Sequence, residues 1–316
     1  LSSIDGLEIA AIVPCHNEVV AVGQVVADLK AAVEGITVYV YDNLSTDGTA
    51  AAAEAAGAIV RREDLKGKGN VVRRAFADVD ADIYILIDGD DTYDASAARG
   101  MIDVLLSGPY DHVLGVREET TDTAYRPGHA LGNRAFNRLV GMVFGLPVSD
   151  MLSGYRIFSR RFVKSFPALS KEFEIETELT VHSMSLRVPQ TEVAVGFKDR
   201  PAGSESKLRT YHDGFRILSL IAQLTRHERP LAFYGIVGGL LALVGVILGI
   251  PIIVEFAQIG LVPRLPTAVL ASVFVILGFI AWMMGLVLDG VLRARQEASR
   301  LAYLRFRPPG ADSGTN

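Results

Sequence analysis

The sequence predicts a doubly wound α/β domain with a mostly parallel sheet, followed by an amphipathic interfacial helix and two transmembrane helices. Short β-branched runs alternate with helical segments from residue 8 to about 120, the rhythm of βαβ units whose strands pair in parallel. Several of those runs end abruptly in acidic residues, as strands do at the ligand-binding carboxyl edge of an open sheet. Near the C-terminus, two uncharged apolar stretches are long enough to cross a bilayer.

Taken in order, Ile9–Val13, Thr37–Tyr41, Ala58–Arg61, Ile83–Ile87 and Val113–Val116 read as strands. The segments between them read as helices, among them the alanine-rich Thr49–Ala56. Residues 128–145 and 172–187 carry helical patterns, and Thr191–Phe197 alternates like a strand. Leu208, Tyr211, Phe215, Leu218, Ala222 and Thr225 then recur at helical spacing, with Arg209, Arg216 and Arg226 nearby. Such a helix lies in the headgroup layer or packs on the domain itself; both arrangements fit. Leu231–Val254 is the first expected span and Thr267–Leu288 the second, joined by the link Glu255–Pro266. Arg226 and Arg229 precede the pair, and Arg293, Arg295 and Arg300 follow it, which places both outer flanks in the cytoplasm. The resulting division is a domain at 1–207, a juxtamembrane helix at 208–230, spans at 231–254 and 267–290, and a cytoplasmic tail at 291–316. The end of that tail, from Pro308, is expected to be disordered.

Composition narrows the function. The 316 residues are 50% hydrophobic, and the apolar excess sits near the C-terminus. A formal charge of −5 argues against nucleic acid as a partner, since that needs a basic footprint. The single cysteine, Cys15, excludes an internal disulfide and reads as a core residue. Ile9–Val13 is too short and lacks the basic lead of a signal peptide, so the N-terminal domain is expected to stay in the cytoplasm, at the inner membrane.

Chemistry concentrates where the strands end. Asp88, Gly89, Asp90 and Asp91 follow the run Ile83–Ile87, and Asp88 and Asp90 can share one hard divalent cation with phosphate oxygens. A polar turn would account for the same residues. The first strand runs into Pro14-Cys15-His16-Asn17-Glu18 and the second into Asp42-Asn43-Leu44-Ser45-Thr46-Asp47-Gly48-Thr49. There Ser45 or Thr46 is expected to cap the next helix. Lys66-Gly67-Lys68-Gly69-Asn70 adds a basic loop before a helix, suited to an anion. Convergence of such groups at one sheet edge is how a nucleotide site is built.

Together these motifs resemble the family 2 glycosyltransferases of the GT-A fold. Gly115-Val116-Arg117, Asp150-Met151-Leu152-Ser153-Gly154-Tyr155-Arg156 and the stretch from Arg200 to Lys207 are similar to the polyprenol-phosphate sugar transferases, the group containing dolichol-phosphate mannosyltransferase. The resemblance extends to the C-terminal two-span hairpin of bacterial members. It implies that Pro14, Asn17, Glu18, Asp42, Asn43, Lys68, Asp88, Gly89, Asp150 and Ser153 serve the nucleotide-sugar donor. Asp88 and Asp90 would bring Mg2+ or Mn2+ to its diphosphate. Arg117, Arg200, Ser206 and Lys207, with His129 and Asn133, would meet the acceptor phosphate, and Asp90, Arg117 and Arg200 would carry catalysis. Many relatives have Arg and Ser where His129 and Asn133 fall, and a Gln where Asp91-Thr92-Tyr93 follows the acidic pair; for His129 a structural or capping role fits equally well.

The implied reaction is an inverting, metal-dependent transfer of a sugar from a nucleotide to polyprenyl (undecaprenyl) phosphate, with a UDP-hexose the first expectation and GDP-mannose the second. Lipid phosphate is mostly dianionic at neutral pH, since its second pKa is ~6, so no general base is needed. Glu174 and Glu178 share a helix face and Glu176 lies on another; a solvated acidic face accounts for them, and the resemblance implies instead that one of the three faces the sugar or nucleotide. A non-catalytic nucleotide-sugar-binding membrane adaptor is one alternative, and an enzyme extending a glycan is another. The second is weakened because the one tryptophan, Trp282, lies inside a span rather than in a soluble-domain motif. Self-association through the spans is a further expectation.

Overall fold

β1 (Ile9–Cys15) is an interior strand, apolar on both faces because helices cover it twice. The computed structural model describes residues 4, 6–119, 149–168, 175–198, 225–226 and 229–310. The sheet has seven strands in the order β3-β2-β1-β4-β6-β5-β7. They are β2 (Thr37–Asp42), β3 (Ile59–Arg62), β4 (Ile83–Leu86), β5 (His112–Glu119), β6 (Arg156–Ser159) and β7 (Gln190–Phe197). All pairings are parallel except those of β6, which runs antiparallel to β4 and to β5. The expected GT-A type α/β sheet is therefore present, with β6 as the element that the pattern did not announce. Its four residues, Arg-Ile-Phe-Ser, are all buried, so no alternation marks them as a strand.

Period-two alternation in the strands feeds two cores. Ala11 and Val13 face a core with α1 (Val22–Ala32) and α4 (Ala98–Ser107), which contribute Val22, Val25, Leu29, Met101 and Leu105 at helical spacing. Ala10 and Ile12 face the other, where α3 (Lys68–Asp78), α5 (Arg160–Ser165) and α6 (Ile175–Leu186) supply Val71, Val72, Phe76, Phe162, Ile175 and Leu179. The short α2 (Thr49–Ala55) joins β2 to β3.

The chain divides into two units, residues 1–208 with 298–316, and residues 209–297. The second contains α7 (Pro230–Ile259) and most of α8 (Leu265–Tyr303), both long and apolar enough to cross a membrane. Both overshoot the expected spans. Glycines let the helices touch: a Cβ on Gly238 would overlap Gly278 O and Trp282, and one on Gly245 would overlap Ala271 O and Val275. The Trp282 indole donates to Gly235 O at 3.0 Å. Residues from Ala298 onward group with the α/β unit, where Tyr303 is 4% exposed and donates to Asp111 Oδ2 at 2.6 Å. From Ala298 to Tyr303 the chain is thus helical and groups with the α/β unit. The expected helices at 128–145 and 208–230 lie wholly or largely outside the described residues.

Candidate active site

β1, β2 and β4 end side by side, with Cys15 opposite Asp42 and Ile12 opposite Leu86, so their loops converge. The first two loops are stitched together. Asn17 N donates to Ser45 Oγ at 2.9 Å, Thr46 N to Asn17 Oδ1 at 2.8 Å, and Glu18 N to Thr49 Oγ1 at 2.8 Å. Ser45 and Thr46 therefore do not cap α2. Its N-cap is Gly48, at φ 87, and Asp47 Oδ1 accepts from Thr49 N and Oγ1 instead. Asn17, Leu44 and Asp91 all hold left-handed backbone (φ 57, 63 and 55), so strained geometry gathers in these loops.

Each predicted donor residue has a definite place. Asp42 is buried and accepts from Ser45 N at 3.2 Å. Asn43 turns inward: its amide donates to Glu63 O and Leu65 O at 2.8 and 2.9 Å and accepts from Gly67 N at 2.7 Å. That makes it a brace for the basic loop, with its side-chain hydrogen bonds satisfied internally. Ser153 likewise turns away from solvent, its hydroxyl 2.5 Å from Gly115 O. Gly89 sits where a Cβ would overlap Cys15 Sγ, so only glycine lets the acidic turn close on Pro14 and Cys15.

Cys15 reports how carboxylates crowd this edge. Burial raises its thiol pKa first, and Glu18, Asp88, Asp42 and Asp90 raise it further, so all four lie within electrostatic reach. Asp90 accepts from Thr92 N at 3.2 Å and Thr92 Oγ1 at 2.7 Å, and Asp91 pairs with Lys198 at 2.8 Å. Asp88 pairs with buried Lys68, whose ammonium also meets Glu176 Oε1 at 2.6 Å. Burial pulls the Lys68 pKa down, but Asp88 and Glu176 outweigh it and hold the ammonium protonated. Burial raises the Glu176 carboxyl, with Lys68 pulling it back. Glu176 is thus no solvated face; among the three glutamates Glu174 lies outside the described residues and Glu178 is partly exposed.

On the far side, Tyr93 OH accepts from Gly154 N at 2.8 Å and tethers the Ser153–Gly154 segment to the acidic turn. A Cβ on Gly154 would overlap the Asp88 carboxylate. Arg156, fully buried, donates to Ser153 O, Met151 O and Thr180 Oγ1 at 2.8–2.9 Å, fixing that segment to α6. Burial brings its pKa down to about 10, still charged at neutral pH. Arg117 grips Asp150 through two bonds, Nε to Oδ2 at 2.6 Å and Nη2 to Oδ1 at 2.7 Å, and stacks on Phe197 with its guanidinium carbon 5.3 Å from the ring centroid. His129, Asn133, Arg200, Ser206 and Lys207 lie outside the described residues. Tyr93 and Gly154 were not singled out as site residues from the sequence, although both stand within quoted stretches, and Glu176 was one of three glutamates that the sequence did not tell apart.

Among the described residues, no group of three or more His, Cys, Asp or Glu side chains forms a closed metal cage. Lys68 competes for Asp88, but the donors at hand are hard carboxylates. That suits Mg2+ or Mn2+ bound through one or two carboxylates with the remaining positions filled by substrate phosphates and water.

The family model "Glycosyl transferase family 2" matches residues 10–166. Glycosyltransferase AglJ of Haloferax volcanii is 32% identical over 296 residues, covering 92% of this chain and 95% of that protein. A dolichyl-phosphate hexose transferase of the same organism is 28% identical, covering 70% and 96%. Among solved structures, glucosyl-3-phosphoglycerate synthase from Mycobacterium tuberculosis, in complex with Mn2+, uridine-diphosphate and phosphoglyceric acid, aligns with a TM-score of 0.57 at 21% identity, covering 70% of this chain and 78% of that one. That last likeness is one of fold.

Proposed function

The chain belongs to the family 2 glycosyltransferases, and from that membership we propose that it transfers a hexose from a nucleotide sugar to a polyprenyl phosphate at the cytoplasmic face of a membrane. The observation that carries the reading is the junction after β4, where Asp88 and Asp90 stand at the sheet edge beside two stitched loops. Similarity to a dolichyl-phosphate hexose transferase and two helices apolar enough to span a bilayer support a lipid acceptor. The donor is taken to be a UDP-hexose first and GDP-mannose second.

The chain's own residues divide the work. Asp42 and the Pro14–Glu18 loop hold the nucleoside, and Asn43 keeps the basic loop in position through Gly67. Asp88 and Asp90 would hold Mg2+ or Mn2+, which when bound supplies Lewis-acid relief of charge on the leaving diphosphate. Asp150 orients Arg117 through its paired bonds, so it acts as a positioning carboxylate and not as a base. Arg117, with Arg200, Ser206, Lys207, His129 and Asn133, is assigned to the acceptor phosphate, whose charge needs compensation beside a second anion. The dianionic phosphate oxygen attacks the anomeric carbon opposite the departing diphosphate, forming a sugar–phosphate ester with inverted configuration. Mass spectrometry and NMR of the product from undecaprenyl phosphate test this: a lipid phosphate carrying one hexosyl group, inverted, is expected. Retention of configuration, or a hexose on a hydroxyl acceptor, would overturn it.

A further inference from the structure

Lys68 was expected to meet the donor, yet its ammonium is committed within the protein. Its side chain is 7% exposed and is clamped between Asp88 and Glu176, the latter 6% exposed and 108 residues away in sequence. Gly154 lies against the other Asp88 oxygen, since a Cβ there would overlap Oδ2 and approach Lys68 Nζ. The second Glu176 oxygen, Oε2, is buried without a hydrogen-bond partner among the described residues, leaving room for a further bond to the same ammonium. Buried Glu176 needs a counter-charge, and Asp88, with its side chain 30% exposed, is stabilised by one. Lys68 supplies one where a divalent cation would otherwise sit, and two cations on one carboxylate repel each other.

Taking Asp88 as a metal ligand, as the proposed function does, we propose that Lys68 and Glu176 form an internal counter-ion relay. Lys68 neutralises Asp88 before a cation binds, then withdraws onto Glu176 when a divalent ion and nucleotide arrive. Glu176 is a positioning residue: it touches neither substrate nor metal, and it sets metal affinity by offering Lys68 a second anion. The relay makes the site bind metal weakly without nucleotide and more tightly with it, because the diphosphate adds the charge that offsets Lys68.

The test is Mn2+ binding by full-length protein in detergent, read as loss of the free-ion EPR signal, with no nucleotide and then with UDP or GDP. Lys68→Met should strengthen nucleotide-free binding about tenfold, and Glu176→Gln should weaken it by a similar factor. The double variant should return to the Lys68→Met value, because Glu176 acts only through Lys68. Lys68→Gln, closer to the native polarity, should move the same way as Lys68→Met and stands in for it should that variant melt early. Weaker Mn2+ binding in both Lys68 variants, or an unchanged affinity in Glu176→Gln while the native protein binds Mn2+, would overturn the relay and leave the metal reading standing. Failure of the native protein to bind Mn2+ with either nucleotide would instead remove the metal reading, and the relay with it.

Discussion

At the scale of single residues, the site depends as much on side chains that are missing as on those present. Gly154 and Gly89 each bring backbone to where a methyl group would strike a neighbour, Asp88 in one case and Cys15 in the other. Gly154→Ala should therefore displace the Asp88 carboxylate and lower kcat/KM on the order of a hundredfold, the scale of a misplaced reacting group. Steady-state kinetics with a thermal melt would check it, and a near-native rate in folded protein would show that Asp88 tolerates displacement. The acidic turn itself was legible because three carboxylates follow a β-branched run. Glu176 was not, since Glu174, Glu176 and Glu178 look alike in sequence, and only the buried packing of α6 separates Glu176 from Glu178. Asn43 and Ser153 show the converse. Both stand in the right motifs, yet hydrogen bonds to Gly67, Glu63, Leu65 and Gly115 turn them into braces.

At the scale of elements, the parallel half of the sheet followed from the βαβ rhythm, and β1, β2 and β4 fell within a few residues of expectation. β6 escaped because four buried residues carry no periodicity, and its antiparallel course is set by partners remote in sequence. That strand and its neighbours enclose His112, at the start of β5, which stacks on Phe158 with centroids 4.9 Å apart and has Nδ1 2.9 Å from Ser183 Oγ. Burial lowers its pKa well below the ordinary histidine range, and nearby Arg156 lowers it further. A base depressed in the folded state contributes stability that is full above its unfolded pKa of ~6.5 and is lost as pH falls below that value. His112→Gln, which keeps a polar side chain but cannot titrate, should flatten the fall in melting temperature between about pH 7 and pH 5. An equally steep fall in the variant would place the acid sensitivity elsewhere.

At the scale of the whole molecule, hydropathy announced the paired apolar helices, but their close packing rests on glycine positions that no hydropathy sum weighs. Gly238 and Gly278 meet backbone to backbone, and Gly245 meets Ala271, so these small residues are used within the pair. The return of the chain to the α/β unit was also hidden. Tyr303 looks like an ordinary tail residue, yet it joins the core, and its hydroxyl shares Asp111 with the Arg161 guanidinium. A family 2 catalytic domain joined to helices of this kind makes chemical sense if the acceptor is itself a lipid. Detergent-purified protein should be incubated with undecaprenyl phosphate, Mg2+ or Mn2+, and a panel of labelled nucleotide sugars, and the label entering the organic phase counted. Labelling from one donor, abolished by EDTA and by Asp90→Ala, is the expected result. Protein that binds a nucleotide sugar yet labels no lipid from any donor would contradict it.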